Sequence, residues 1–122
     1  DLKLLRLPLL LLLLLLSTTG MADFDLGLSA VSKGDYPTAL REFKKAADQR
    51  NAGAQYNLGS MYAKGYGVAE DDVEAYKWWN LAAAQGDKMA AKAKKIIVKE
   101  MTRAQIAEAQ KLSTKWFKEH NR

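Results

Sequence analysis

Residues 39–54, ALREFKKAADQRNAGA, return at residues 75–90 as AYKWWNLAAAQGDKMA. Ala39 maps onto Ala75, Phe43 onto Trp79, Ala46 and Ala47 onto Ala82 and Ala83, Gln49 onto Gln85 and Ala54 onto Ala90, each displaced by 36 positions. A fixed period of about 20–50 residues marks a stacked-repeat chain. One such unit cannot bury its own apolar face, so neighbours stack and present a surface rather than an enclosed pocket. That geometry points to a chain that binds proteins.

Working outward from the repeat, the chain reads as three antiparallel helix pairs. The first pair covers residues 24–33 and 37–49. Gly34 stops one helix, Asp35 caps the next, and Pro37 sits in a first turn where its missing N–H costs nothing. The second pair covers 52–64 and 72–85, joined by Gly65-Tyr66-Gly67-Val68-Ala69-Glu70. Its glycines permit positive φ, and Val68 is expected to tuck the loop against the core. The third pair covers 88–101 and 103–120, where Thr102 followed by Gln105 has capping-box spacing. Alternating apolar patterns never persist: Met89, Ala93, Ile96, Ile97 and Met101 keep helical spacing. The predicted class is all-α, a short α-solenoid.

The run Ala54-x-x-x-Leu58-Gly59-x-x-Tyr62-x-x-Gly65-x-Gly67-Val68-x-x-Asp71-x-x-x-Ala75-x-x-Trp78-x-x-x-Ala82-Ala83-x-x-Gly86 resembles a full Sel1-like repeat. Gly34-Asp35-Tyr36-x-x-Ala39-Leu40 through Ala46-Ala47 is similar to the second helix of such a repeat, with the tight turn of a tetratricopeptide unit. After Ala90 the pattern decays: Lys94 and Lys95 stand where Leu58 and Gly59 should recur, and the glycine loop is gone. The segment from about residue 88 therefore resembles a cap, and 102–116 is similar to the closing helix of small exported members. The resemblance implies a non-catalytic interaction module with no cofactor. Its partner would be a protein or peptide, engaged by a monomer or weak dimer.

The residue types agree with close helix packing. Ala46, Ala47, Ala54, Gly59, Ala75, Ala82 and Ala83 are small where axes must approach, and Phe43, Tyr62, Trp78 and Trp79 fill the space between pairs. Trp78 belongs to the core stripe. Since Tyr76, Trp78 and Trp79 cannot all face inward on one helix, Tyr76 and Trp79 become candidate partner contacts. Related solenoids bind on the concave side lined by the first helix of each pair. On 52–64 the residues not claimed by Ala54, Leu58 and Tyr62 are Tyr56, Asn57, Ser60, Met61 and Lys64, which complete the candidate partner-binding set.

The formal net charge is +5, unevenly spread. Residues 23–87 hold 7 Lys and Arg against 10 Asp and Glu, whereas 88–122 hold 10 against 3. Lys88, Lys92, Lys95 and Lys99 are spaced to fall along one helix face, a solvated surface or a docking stripe for an anionic partner.

Lys3 and Arg6, the apolar stretch Leu7–Leu16 and the small residues that follow describe a signal peptide over residues 1–22. Gly20 and Ala22 occupy the two small positions, placing cleavage after Ala22. Ten helical residues reach about 15 Å, half of a roughly 30 Å hydrocarbon core, so a membrane span is the weaker reading. Export is expected, to the periplasm first and to the exterior second. Nucleic acid is not an expected partner, because the leader would carry the protein away from it.

Catalytic signals are weak. Without cysteine there is no thiol nucleophile and no thiolate metal site. His120 is the lone histidine and lies at an end expected to fray. Glu70, Asp71, Asp72 and Glu74 read as capping and first-turn chemistry rather than a cation site.

Overall fold

The computed structural model describes the backbone over residues 9–121 and side chains over residues 20–121. The basic start and the whole apolar run of the expected leader lie outside the described side chains. Six α-helices and no strand are present among the described residues. They are α1 (Leu9–Ser32), α2 (Tyr36–Asp48), α3 (Ala52–Lys64), α4 (Asp72–Ala84), α5 (Lys88–Ile97) and α6 (Arg103–His120), with a 3-10 turn at Val98–Glu100. Helix α1 is longer than the expected 24–33 and runs without a break through Gly20, Met21 and Ala22. Among the described residues no helix is long and apolar enough to cross a membrane.

The helix starts repeat as the sequence does. Asp35 caps α2 by accepting from the Thr38 N–H, and Asp71, one period later, caps α4 by accepting from Glu74 N–H. Asn51 and Asp87 form a second pair, accepting from the amides of Ala54 and Ala90 at 2.8 and 2.9 Å. Each such cap satisfies a first-turn amide that the helix itself leaves without a partner. Thr102 and Gln105 close a reciprocal capping box on α6, with bonds of 2.8 and 3.1 Å.

Each repeat is held by one aromatic side chain lying on one glycine. A Cβ at Gly59 on α3 would lie 2.6 Å from Cδ1 of Trp79 on α4. A Cβ at Gly27 on α1 would lie 2.5 Å from Cδ1 of Phe43 on α2. The Trp79 indole also donates to the Tyr56 carbonyl at 3.0 Å. Gly27 to Phe43 spans sixteen residues and Gly59 to Trp79 spans twenty, so the second repeat carries four more residues in its connection. That connection bends back onto the first repeat. Gly67, at φ +71°, lies so close to Tyr36 that a Cβ would come within 2.9 Å of its backbone, and Tyr66 stacks on the Tyr36 ring at 4.9 Å. Val68 is half-buried, and the closest loop contact with the first repeat is made at Gly67.

Two apolar clusters result. Phe43, Leu58, Met61, Trp78 and Trp116 centre the first, and Tyr76, Trp79, Ile97, Met101 and Ala109 the second. Fully buried Gln55 ties the repeats together, donating to the Ala47 carbonyl at 3.1 Å and accepting from Gln85 at 2.8 Å.

The third pair departs from expectation. Helix α5 ends at Ile97, and α6 packs on α4 rather than on α5. It then reaches the first repeat: Trp116 meets Trp78 edge-on at 5.8 Å, and its indole donates to Asp48 at 3.2 Å. His120 is not frayed. Its ring stacks on Trp116 at 4.1 Å, Nδ1 lies 2.8 Å from the Trp116 carbonyl, and Nε2 lies 3.7 Å from Asp48.

Candidate functional site: two repeat-related clefts

Two clefts lie between successive first helices, and the repeat relates them. The first, about 140 Å³, lies between α1 and α3 and has Val31, Phe43 and Met61 as its apolar lining. Asn57, Ser60 and Lys64 stand around these, and the stacked rings of Tyr36 and Tyr66 close one end. Asn57 donates to the Gly53 carbonyl at 2.8 Å and Ser60 to the Tyr56 carbonyl at 3.1 Å, so both polar side chains are anchored on their own helix. The Lys64 ammonium lies 5.8 Å from the Tyr66 ring centroid, a distance at which a cation is drawn to an aromatic face.

The second cleft, about 250 Å³, lies between α3 and α5. Its Trp79, Ala93, Ile96, Ile97 and Glu100 occupy the places of Phe43, Asn57, Ser60, Met61 and Lys64 one period earlier. Ala63 stands where Val31 stands in the shorter repeat, and Asp72 where Tyr36 does. Repetition has thus preserved the lining positions and changed the size and chemistry. Both volumes fall below the roughly 300–1,000 Å³ of small-molecule sites, so each cleft suits a side chain rather than a cofactor.

Of the seven predicted partner contacts, the first cleft brings together Asn57, Ser60, Met61 and Lys64. Met61 is part of the buried core there, not a projecting anchor, because the α1 side covers it. Tyr56 is half-buried against the second cluster. Tyr76 and Trp79, candidate partner contacts in the sequence, are buried together with Trp78. Helix α4 is enclosed by α3, α5 and α6, so aromatics on different faces all find cover. Burial, with the carboxylates of Glu74 and Asp71 nearby, pushes the Tyr62 phenol above its ordinary value of 10.0 and keeps it neutral at physiological pH.

Lys88, Lys92, Lys95 and Lys99 are all exposed, and among the described residues none is ion-paired. Lys99 sits in the 3-10 turn, so the straight row is Lys88, Lys92 and Lys95. Lys95 stands one period after Gly59, on the face where α6 would have paired, and α6 is not there. Lys94, in the place of Leu58, bonds Asn80 at 2.9 Å and lies 5.7 Å from the Tyr76 ring centroid. The acidic group at α4 does capping work, with Glu74 also paired to Lys77 at 2.9 Å. Among the described residues no cluster of three potential metal ligands occurs.

Sequence reasoning paired Phe43 with Trp79 but missed Gly27 as the twin of Gly59. The signal was present: Ala22-x-x-x-Leu26-Gly27 repeats Ala54-x-x-x-Leu58-Gly59 at an offset of 32 rather than 36.

A family model for the Sel1 repeat matches residues 21–51 and 52–87. An exopolysaccharide production negative regulator of Rhizobium meliloti (strain 1021) is 40% identical over 65 residues, covering 53% of this chain and 24% of that protein. A protein of the same description from Rhizobium leguminosarum bv. viciae is 36% identical over 63 residues, covering 52% and 24%. The chain thus spans about a quarter of the length of these relatives. Among solved structures, c5321, a protective antigen present in uropathogenic Escherichia coli strains and displaying an SLR fold, superposes with a TM-score of 0.76 at 30% identity. That match covers 83% of this chain and 23% of c5321.

Proposed function

The chain belongs to the Sel1 repeat family, and on that premise we propose that it is a non-catalytic scaffold whose paired clefts hold an extended segment of a partner protein. Sel1 repeat proteins generally bind protein partners. The observation carrying the proposal is the recurrence of one cleft in two consecutive repeats. Side-chain-sized hollows spaced along successive helices suit a peptide and do not suit a substrate that must be enclosed. The names of the rhizobial relatives, exopolysaccharide production negative regulators, support a regulatory role. The test is selection of peptides from a random displayed library on the full chain. Selected peptides should lose binding on Ser60→Trp, which fills the first cleft, or on Ile96→Asp. Peptides indifferent to both substitutions would refute the assignment of the face.

Export, to the periplasm or beyond it to act on host or cell-surface proteins, is part of the proposal. Its support is the basic, apolar and small-residue order of residues 1–22. Fractionating an expressing cell tests it, and accumulation of uncleaved chain in the cytoplasm refutes it. A second reading, an electrostatic adaptor for anionic lipid or polysaccharide, rests on the exposed, unpaired lysines of α5. Salt-sensitive co-sedimentation with anionic vesicles supports it, and no sedimentation at low salt removes it.

A further inference from the structure

We infer that the second cleft selects a partner segment bearing a bulky apolar side chain flanked by lysine or arginine, an inference that rests on the binding-scaffold reading above. Four substitutions between the repeats carry it. Asn57 and Ser60 give way to Ala93 and Ile96, which turns a polar wall apolar. Val31 gives way to Ala63, and the cleft is larger by about 110 Å³, the difference between about 250 and about 140 Å³. Lys64 gives way to Glu100, which reverses the sign of the rim, and Glu70 and Asp72 add two more carboxylates. Among the described residues none of these three carboxylates is ion-paired. Ile96 is 65% exposed, an apolar side chain in water at the mouth of an apolar hollow.

The charges choose the occupant. A carboxylate rim repels anionic headgroups and acidic peptides and attracts cationic side chains. No lysine of α5 lines the cleft: Lys95 lies well around the helix from Ile97, and Lys92, one turn before Ile96, borders the outer edge. The first cleft offers the opposite complement, with the Lys64 ammonium at its rim. One partner segment spanning both clefts places an acidic or amide side chain at Lys64 and its apolar and basic pair at Ile96 and Glu100.

The test uses the full chain and two fluorescein-labelled peptides read by anisotropy. One has a central Leu-Phe-Leu flanked by two lysines on each side, and its counterpart has glutamates in place of the lysines. The basic peptide should bind about tenfold more tightly at low salt, the sum of several weak exposed pairs. Glu70→Lys with Glu100→Lys should reverse the preference, and Ile96→Asp should weaken both peptides. All three positions are solvent-facing, so melting temperature serves as the check that the variants fold. Equal affinity for the two peptides, or indifference to Ile96→Asp, overturns the inference. Binding lost only on Ser60→Trp also overturns it while leaving the scaffold reading intact. Failure of the library selection to find any cleft-dependent peptide would instead remove the scaffold reading.

Discussion

Substituting Gly59→Ala sets two opposed effects against each other at one atom. Alanine favours a helix interior over glycine by about 1 kcal/mol, so on propensity alone the variant gains stability. Packing opposes this. The new methyl would lie 2.6 Å from Trp79 Cδ1, 2.7 Å from its Nε1 and 3.1 Å from the Ala75 carbonyl oxygen. The indole lies on the Gly59 backbone with its N–H on the Tyr56 carbonyl, so it cannot retreat without losing that bond. Overpacking of this kind costs about 1–3 kcal/mol, and a strained or broken hydrogen bond about 1 kcal/mol more. The net expectation is a loss of about 2 kcal/mol. With about 4 °C per kcal/mol for a domain of this size, the melting temperature should fall by about 8 °C. Urea denaturation followed by far-UV circular dichroism measures the same quantity directly. In a Trp79→Leu background the methyl has room, and Gly59→Ala should become neutral or favourable. A wild-type background in which Gly59→Ala raises the melting temperature would refute the close crossing of α3 on α4.

Four further outcomes follow from particular residues. Gly86 has φ +97° with open space around its Cα, so Gly86→Ala should cost about 1–2 kcal/mol through backbone strain alone. Its counterpart one period earlier is Arg50, at φ +68°, where Arg50→Gly should be neutral or stabilising in the same chemical denaturation assay. The Asp35 carboxyl is held below its ordinary value of 3.8 by hydrogen bonding from Thr38, side chain first and backbone second. A depressed folded value means the contribution is present above pH 3.8 and fades as pH falls through the lower folded value. Asp35→Asn keeps an acceptor and removes the titration, so melting temperature should depend less on pH in that acid range; an unchanged slope would count against the cap. Lys92→Glu with Lys95→Glu should abolish any salt-sensitive retention on anionic vesicles while leaving cleft-dependent peptide binding in place, and retention that survives the reversal would eliminate the lysine row as its cause.

Much of the architecture was legible because local signals and the repeat agreed. Asp35, Asp71 and Thr102 mark helix starts by side-chain chemistry alone, and the all-α solenoid follows from their spacing. What escaped depends on contacts that no local pattern encodes. The inward count of aromatics on α4 went wrong because one-sided burial is the usual state of a helix, whereas α3, α5 and α6 enclose α4 and between them bury Tyr76, Trp78 and Trp79. Gly27 was hidden by the shorter connection in the first repeat, which breaks the 36-residue register that Phe43 keeps. Four of the seven predicted contacts line the first cleft, since helical periodicity on α3 settles which residues share a side. The second cleft was not legible, because Lys94 and Lys95 disguise α5 as a break in the repeat although Ala93, Ile96 and Ile97 hold the cleft positions of Asn57, Ser60 and Met61.

The path of α6 bears on how the molecule comes apart. In an ordinary helical array each unit touches only its neighbours, and stability behaves as a one-dimensional sum in which units melt from the ends inward. Here Trp116 joins Trp78 of the second repeat and, across 68 residues of sequence, Asp48 of the first. Ala109 enters one core cluster and Trp116 the other. Opening either repeat therefore requires releasing the same helix, and a single long-range element converts an additive array into one cooperative unit. Such a contact slows folding, because its loop must close before it contributes. In return both clefts persist or vanish together, and a partner spanning them meets a face that is either wholly assembled or absent.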